Sequence, residues 1–340
     1  MLYMLFLLTR ALTPSEGFSY LLSRLPFNEI ISNSLSLGIS PMYYIALHVW
    51  INIFGKSEII MRSFSLIWFG IFILCVHHIL IKVFSMTERR AYRNLFFFMF
   101  NPILLYFSMQ TTASMMFVSL STLSCYFLLR KNYSKFIIVS IFAGLTHWSF
   151  ILVLFLQGVY TYSQSKKLWT GYLIHLLPIL LATLPVLGII AFQSLTFLVT
   201  QLVMIFGPIF FGVVLSFGAL YVFRYHSMFV KSLVVSSGLI SFIIFSFQVN
   251  KVSSKDLRAG IKNIKAVTEK GDVIYVADID QYFQAVYYFD RQVYLYAVKD
   301  FKTPYSSIIP RSRFIKILPT YPNKAFVMDR SGNFEAVAAY

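Results

Sequence analysis

Residues 62–84 read RSFSLIWFGIFILCVHHILIKVF, an arginine followed by nineteen residues free of Asp, Glu, Lys and Arg before Lys82. An α-helix rises about 1.5 Å per residue, so roughly 20 apolar residues cross the hydrocarbon of a bilayer. The stretch therefore predicts a membrane-spanning helix. Arg89, Arg90 and Arg93 follow it, and Lys and Arg in short loops mark the cytoplasmic side, so the span is expected to end in the cytoplasm. The rest of the chain agrees. Its 340 residues are 58% hydrophobic, 18% aromatic and 12% charged, about half the charge of soluble domains, which excludes an ordinary soluble protein. Of thirteen acids, only Glu16, Glu29, Glu58 and Glu88 precede residue 251. Residues 1–250 thus suit lipid, and 251–340 suit water. The first part carries +11 and the second +5. The basic residues of the first part gather in short loops, where they set topology, and nucleic acid is not an expected partner. Cys75 and Cys125 fall in apolar helices and predict no disulfide.

Applying the loop-charge rule along the chain predicts a multi-pass α-helical protein of the cell membrane. Residues 1–8 make only half a span, and no basic n-region marks them as a signal peptide. Residues 94–108 go out, and 113–129 return to Arg130, Lys131 and Lys135. The stretch 136–162 starts and ends beside basic residues, so it is expected to break near Thr146 and His147 into two short helices that dip in and return. Residues 169–192 go out, 208–223 come in and 232–249 go out. The loop 9–40 and the tail 251–340 then both lie outside the cytoplasm. Residues 41–54 are too short to span and are expected at the interface, and 195–206 at the same outer surface.

The tail reads as a small soluble α/β domain. Ser253 and Asp256 open a helix with Leu257, Ile261, Ile264 and Val267 at helical spacing, and strands are expected over 273–277, 293–298, 313–318 and 325–328. It has no Gly-rich phosphate loop, Cys/His cluster or nucleophile elbow.

Two features go beyond architecture. Ser15-Glu16 opens the outer loop, where a carboxylate at the membrane surface could take a proton from an acceptor hydroxyl; a solvated loop acid has the same local sequence. On such a loop, Glu16→Gln is expected to change stability by only about 0.5 kcal/mol. His147 at the hairpin tip is an intramembrane ionisable group, and equally suits a packed histidine bonded to backbone. No metal-ligand spacing occurs.

The order of segments resembles the GT-C glycosyltransferases, specifically the family 39 group that includes protein O-mannosyltransferases and the lipid A aminoarabinose transferase. Three stretches carry the likeness. Pro14-Ser15-Glu16-Gly17-Phe18-Ser19 through Ser23-Arg24-Leu25-Pro26 is similar to the family's first outer loop with its Asp-Glu-Ala motif. Ser40-Pro41-Met42-Tyr43-Tyr44 through Phe54-Gly55 to Arg62-Ser63 is similar to its His-Pro-Pro-Leu-Tyr-Tyr helix, Phe-Gly turn and span-opening Arg. Tyr106-Phe107-Ser108 through Leu145-Thr146-His147 resembles the stretch ending in its Thr-His pair. Leu257-Arg258-Ala259 and Lys270-Gly271-Asp272 look like the soluble domain many bacterial members append.

The resemblance implies a GT-C fold and transfer of a sugar from a polyprenyl-phosphate donor to a glycan, lipid or protein acceptor at the outer face of the membrane. It also implies an acid as base, basic groups on the lipid phosphate and, in some members, a divalent metal between them. Glu16 would be the catalytic acid, with Ser15, Arg24, Tyr43, Tyr44, Arg62, Gln110 and His147 on the substrate or lipid phosphate. Glu16, Arg62, Tyr43 and His147 are then expected to converge on one cavity opening to the outer leaflet. Two departures matter: the family's catalytic Asp falls on Ser15, and Phe107-Ser108-Met109-Gln110-Thr111-Thr112 lacks the acid and the base of the family's second outer loop. A serine hydroxyl has no useful basicity near neutral pH, so either Glu16 takes over or the chain is a non-catalytic binder of lipid-linked sugar in a glycan-assembly complex. A polysaccharide polymerase shares the aromatic helices and a His near an outer loop, but would not be expected to append the tail.

Overall fold

The structure, a computed structural model, describes residues 10–193, 258–268, 272–289, 293–296, 308–315, 325–328 and 334–337. The half-span 1–8, the segment 195–206, the spans 208–223 and 232–249 and the Ser253/Asp256 helix start lie outside the described residues. What is described is mostly helical with one small sheet, and two of its helices are long and apolar enough to cross a membrane.

Within the stretch 9–40, the described residues 10–40 are largely helical. Thr13 caps α1 (Pro14–Ser23): its hydroxyl accepts from the Glu16 N–H, the Glu16 carboxylate accepts from the Thr13 N–H, and Pro14 supplies a preset first turn. α2 (Phe27–Ser36) and the 13-residue α3 (Met42–Phe54) follow, the latter too short to span. Ser57 caps the 25-residue α4 (Glu58–Lys82), one of the two membrane-length helices and the span read from residues 62–84.

The crossing expected over 94–108 is interrupted. α5 (Glu88–Met99) stops at Phe100, and Asn101 accepts from the N–H groups of Ile103 and Leu104 to start α6 (Pro102–Ser108). A proline cannot donate to the preceding turn, so the helix is broken and re-capped there. The pair still runs antiparallel to α4: Tyr92 stacks near His77, Phe98 meets Phe72, and Ser65 Oγ donates to the Gln110 carbonyl at 2.5 Å. α7 (Ala113–Leu129) is the central helix, buried at every position from Ser114 to Thr122.

The chain does reverse at His147. α8 (Tyr133–Thr146) returns along α7, with Ser124 and Ser140 hydroxyls 2.8 Å apart. α9 (Phe150–Gln164) then comes back, because Gln157 Nε2 donates to the same Ser124 hydroxyl at 3.0 Å. A helix continuing in the direction of α8 would carry Gln157 beyond the end of α7. α10 (Lys166–Gln193), the second membrane-length helix, packs back on both: Tyr172 donates to the Leu154 carbonyl, and Thr183 lies against Gly144.

In the tail, α11 (Arg258–Val267) precedes β1 (Val273–Val276), α12 (Ile279–Phe289), β2 (Val293–Tyr296), β3 (Phe314–Ile315), β4 (Ala325–Met328) and β5 (Phe334–Val337). The sheet order is β3-β2-β1-β4-β5, parallel except for the β4/β5 pair. Four strands fall where alternation and turn residues predict them; α12 and β5 are additions. The tail core is shared. Ala11 is buried within it, and Phe18 and Leu21 of α1 pack against it beside Phe283 and Val286 of α12. The sequence boundary at residue 250 is thus bridged by α1.

Candidate functional site

The centre of the site is a carboxylate with no free face. Glu16 and Arg62 are both fully buried. Arg62 Nε donates to Glu16 Oε1 at 2.9 Å and Nη2 to Oε2 at 3.0 Å, a two-pronged pair that a planar guanidinium is shaped to make. The Thr111 N–H donates to Oε1 at 3.2 Å, and the Thr13 N–H and hydroxyl to Oε2 at 2.8 and 3.1 Å. Arg10 Nη2 stands 3.7 Å from Oε2. The remaining donors of Arg62 hold the backbone: Nη1 to the Arg10 carbonyl at 2.9 Å and Nη2 to that of Ala11 at 3.2 Å. Burial by itself raises the Glu16 pKa; Arg62, then Arg10 and the Thr13 N–H, reverse this and leave it below its ordinary value.

Three distant parts of the sequence therefore meet on one side chain: residues 10–16, the start of α4 and the turn before α7. Tyr43 joins them, fully buried against Phe64 and Tyr44, with its hydroxyl pKa pushed well up by burial and, less, by the nearby Tyr44 and Glu16. Gln110 is buried beside Thr111. Of the four residues expected to converge on one outward-opening cavity, Glu16, Arg62 and Tyr43 come together as a buried cluster, and His147 does not join them.

The other predicted residues stand apart. Ser15 is exposed, its hydroxyl 3.1 Å from that of Thr13. Tyr44 is half-buried, its ring at a right angle to that of Phe18. Arg24 is the exposed C-cap of α1, eight residues or about 12 Å along the axis from Glu16. His147 ends α8, buried between Phe117 and Trp148, with Nδ1 accepting from the Ser149 N–H at 3.2 Å. Phe117 is four residues into α7, so His147 lies about a helical turn deeper than the start of that helix. Arg10, Thr13 and Thr111 were not anticipated. The sequence held one signal for them: Thr13-Pro14-Ser15-Glu16 is a capping box with proline at the first helical position, which moves Glu16 from a loop to a helix.

The tail closes over this cluster. Gln284 Nε2 donates to the Leu12 carbonyl at 2.7 Å, and the Leu12 N–H donates to the Tyr288 hydroxyl at 2.9 Å. Tyr288 in turn donates to Glu58, and Tyr287 donates to the Lys56 carbonyl at 2.8 Å. Two residues before Leu12, the chain is held by Arg62. α12 and Arg62 thus grip opposite ends of residues 10–12.

Chemically, the cluster sets two guanidiniums around the buried Glu16, with the half-buried Glu58 held by Tyr288 nearby. A divalent metal does not fit at Glu16. Its oxygens already accept five hydrogen bonds, two guanidiniums would repel the cation, and among the described residues no three His, Cys, Asp or Glu side chains gather as ligands. An anion fits better, since phosphate oxygens can compete with the carboxylate for the guanidiniums. Comparison of the chain with protein-family models, with curated proteins and with solved structures finds no match.

Proposed function

We propose that the chain is a multi-pass membrane glycosyltransferase that moves a sugar from a polyprenyl-phosphate donor to an acceptor hydroxyl at the outer face of the membrane. One observation carries this reading: Glu16, Arg62 and Thr111, contributed by the segments whose order resembles a GT-C enzyme, meet within hydrogen-bond distance. The donor phosphate would take Arg62 and Arg10 from Glu16. The carboxylate, no longer held below its ordinary pKa, then accepts the proton of the acceptor hydroxyl. The hydroxyl oxygen bonds to the anomeric carbon, and the bond from that carbon to the phosphate oxygen breaks to release polyprenyl phosphate. A general base contributes about 10²- to 10⁴-fold.

A second reading is favoured by the saturation of Glu16: the chain binds a lipid phosphate with the same arginines and transfers nothing. Full-length protein in proteoliposomes with polyprenyl-phosphate sugar and a membrane extract as acceptor separates the two. Transfer is expected, and Ser15→Asp is expected to raise it by placing a carboxylate at an exposed position one residue from Glu16. Retention of polyprenyl phosphate without transfer by either protein selects the binding role. Neither retention nor transfer overturns both.

A further inference from the structure

Between them α9 and α10 leave a groove of about 440 Å³, lined by Leu154, Phe155, Val159, Tyr162, Trp169 and Leu173 among others. That is within the size range of small-molecule sites, about 300–1,000 Å³, but its walls are almost wholly apolar. From Ile151 to Tyr162 it runs along eleven residues of α9, about 17 Å. Several of its walls are exposed: Phe155 at 67%, Val159 at 52% and Leu173 at 43%. Such a slot takes a hydrocarbon chain.

Its end at the α9–α10 turn is different in kind. Tyr162 and Trp169 form the lip, and Lys166 and Lys167, the first two residues of α10, lie between them in sequence, both exposed. Neither lysine ammonium has a partner among the described residues. None can come from nearby in the chain either, because no Asp or Glu occurs between Glu88 and Asp256. Arg130 and Lys131 add charge at the neighbouring turn, since Tyr133 at the start of α8 stacks on His175 of α10 at 4.3 Å. A slot for a chain, an aromatic lip and uncompensated cations at one end match the three parts of an anionic phospholipid.

We propose that the groove between α9 and α10 seats one acyl chain of an anionic phospholipid whose headgroup phosphate is held by Lys166 and Lys167. The inference rests on the chain being membrane-embedded, and not on whether it transfers sugar. The donor-phosphate cluster at Glu16 is a separate place, nearer the other end of α7.

The test is native mass spectrometry of the full-length protein in neutral detergent, given equal amounts of dioleoyl phosphatidylglycerol and dioleoyl phosphatidylcholine. Phosphatidylglycerol is expected to be retained roughly 25-fold over phosphatidylcholine, the product of two lysines at about fivefold each. Lys166→Gln with Lys167→Gln is expected to bring retention to the phosphatidylcholine level. Val159→Trp, which fills the groove from an exposed position, is expected to lower retention of both lipids, and 10 mM inorganic phosphate to displace neither. Equal retention of the two lipids by the wild type overturns the proposal, as does unchanged selectivity in the double lysine variant. So does a protein dimer abolished by Val159→Trp, which would make the groove a contact between copies of the chain. Because the readout is bound lipid mass, a failed sugar-transfer assay leaves this result standing. A chain that stays soluble without detergent would sink the membrane premise itself.

Discussion

Glu16 has two roles to weigh, the base of the proposed transfer and the counter-ion that seats Arg62 inside the protein. The second sets its stability. Removing one partner of a buried ion pair strands the other, at a cost of about 3–5 kcal/mol, so Glu16→Gln is expected to destabilise the folded protein by that amount, and not by the 0.5 kcal/mol of an exposed loop. Thermal unfolding in detergent measures it. The pH dependence follows in sign. The folded pKa of Glu16 is lowered from 4.5, so its contribution is complete above that value and is lost as pH falls through the lower, folded one. The stability gap between wild type and Glu16→Gln should therefore be constant near neutrality and shrink only below about pH 4.5; a gap that closes between pH 6 and 8 would refute the pairing. The meeting of Glu16 with Arg62 was legible from the order of motifs. Its burial was not, because two of the donors that complete the carboxylate's shell, the N–H groups of Thr111 and Thr13, are backbone groups that any sequence would offer.

Helices show a sharper division between what pattern reveals and what packing decides. The break at His147 was forced by charge, since basic residues at both ends of 136–162 leave no way to cross once. The break at Asn101 was present as an Asn-Pro pair within an apolar run, and the apolar run hid it. α1 joins the tail through a close approach that no local pattern announces: a Cβ on Gly17 would lie 2.3 Å from the Phe283 carbonyl oxygen of α12. That obstacle is backbone, which cannot rotate away. Gly17→Ala is expected to cost about 1–3 kcal/mol by overpacking, and to loosen the tail so that limited proteolysis cuts between α10 and α11 sooner. Gly70→Ala is the control. Nothing lies within 4 Å of a Cβ there, and alanine suits a helix interior better than glycine by about 1 kcal/mol, so that variant should be as stable as the wild type or more so. Equal proteolysis of the two variants would mean that α12 does not dock on Gly17.

At the scale of the molecule, the tail and residues 10–40 occupy one side of the helix bundle, and the helix ends carrying Arg130, Lys131, Lys166 and Lys167 the other. If the basic turns face the cytoplasm, an impermeant thiol reagent applied to intact cells should label Asn28→Cys and Ser312→Cys, both at exposed positions, and spare Ser134→Cys. Labelling of Ser134→Cys with protection of the other two would invert the orientation. Composition and loop charge made this layout readable. The covering of the site by α12 was unreadable, because Gln284 and Leu12 are separated by 272 residues, and hydrophobic periodicity carries no information across such a gap. That separation has a consequence for how the protein is made. Ribosomes add about 5–20 residues per second, so α1 emerges roughly 14–54 s before the helix that covers it. Throughout that interval the face of α1 at Gly17 stands uncovered and the peptide groups of Leu12 lack their eventual partners. A newborn chain therefore offers chaperones and proteases a face that the finished protein withdraws, and a later-made helix acts as the seal on an earlier-made one.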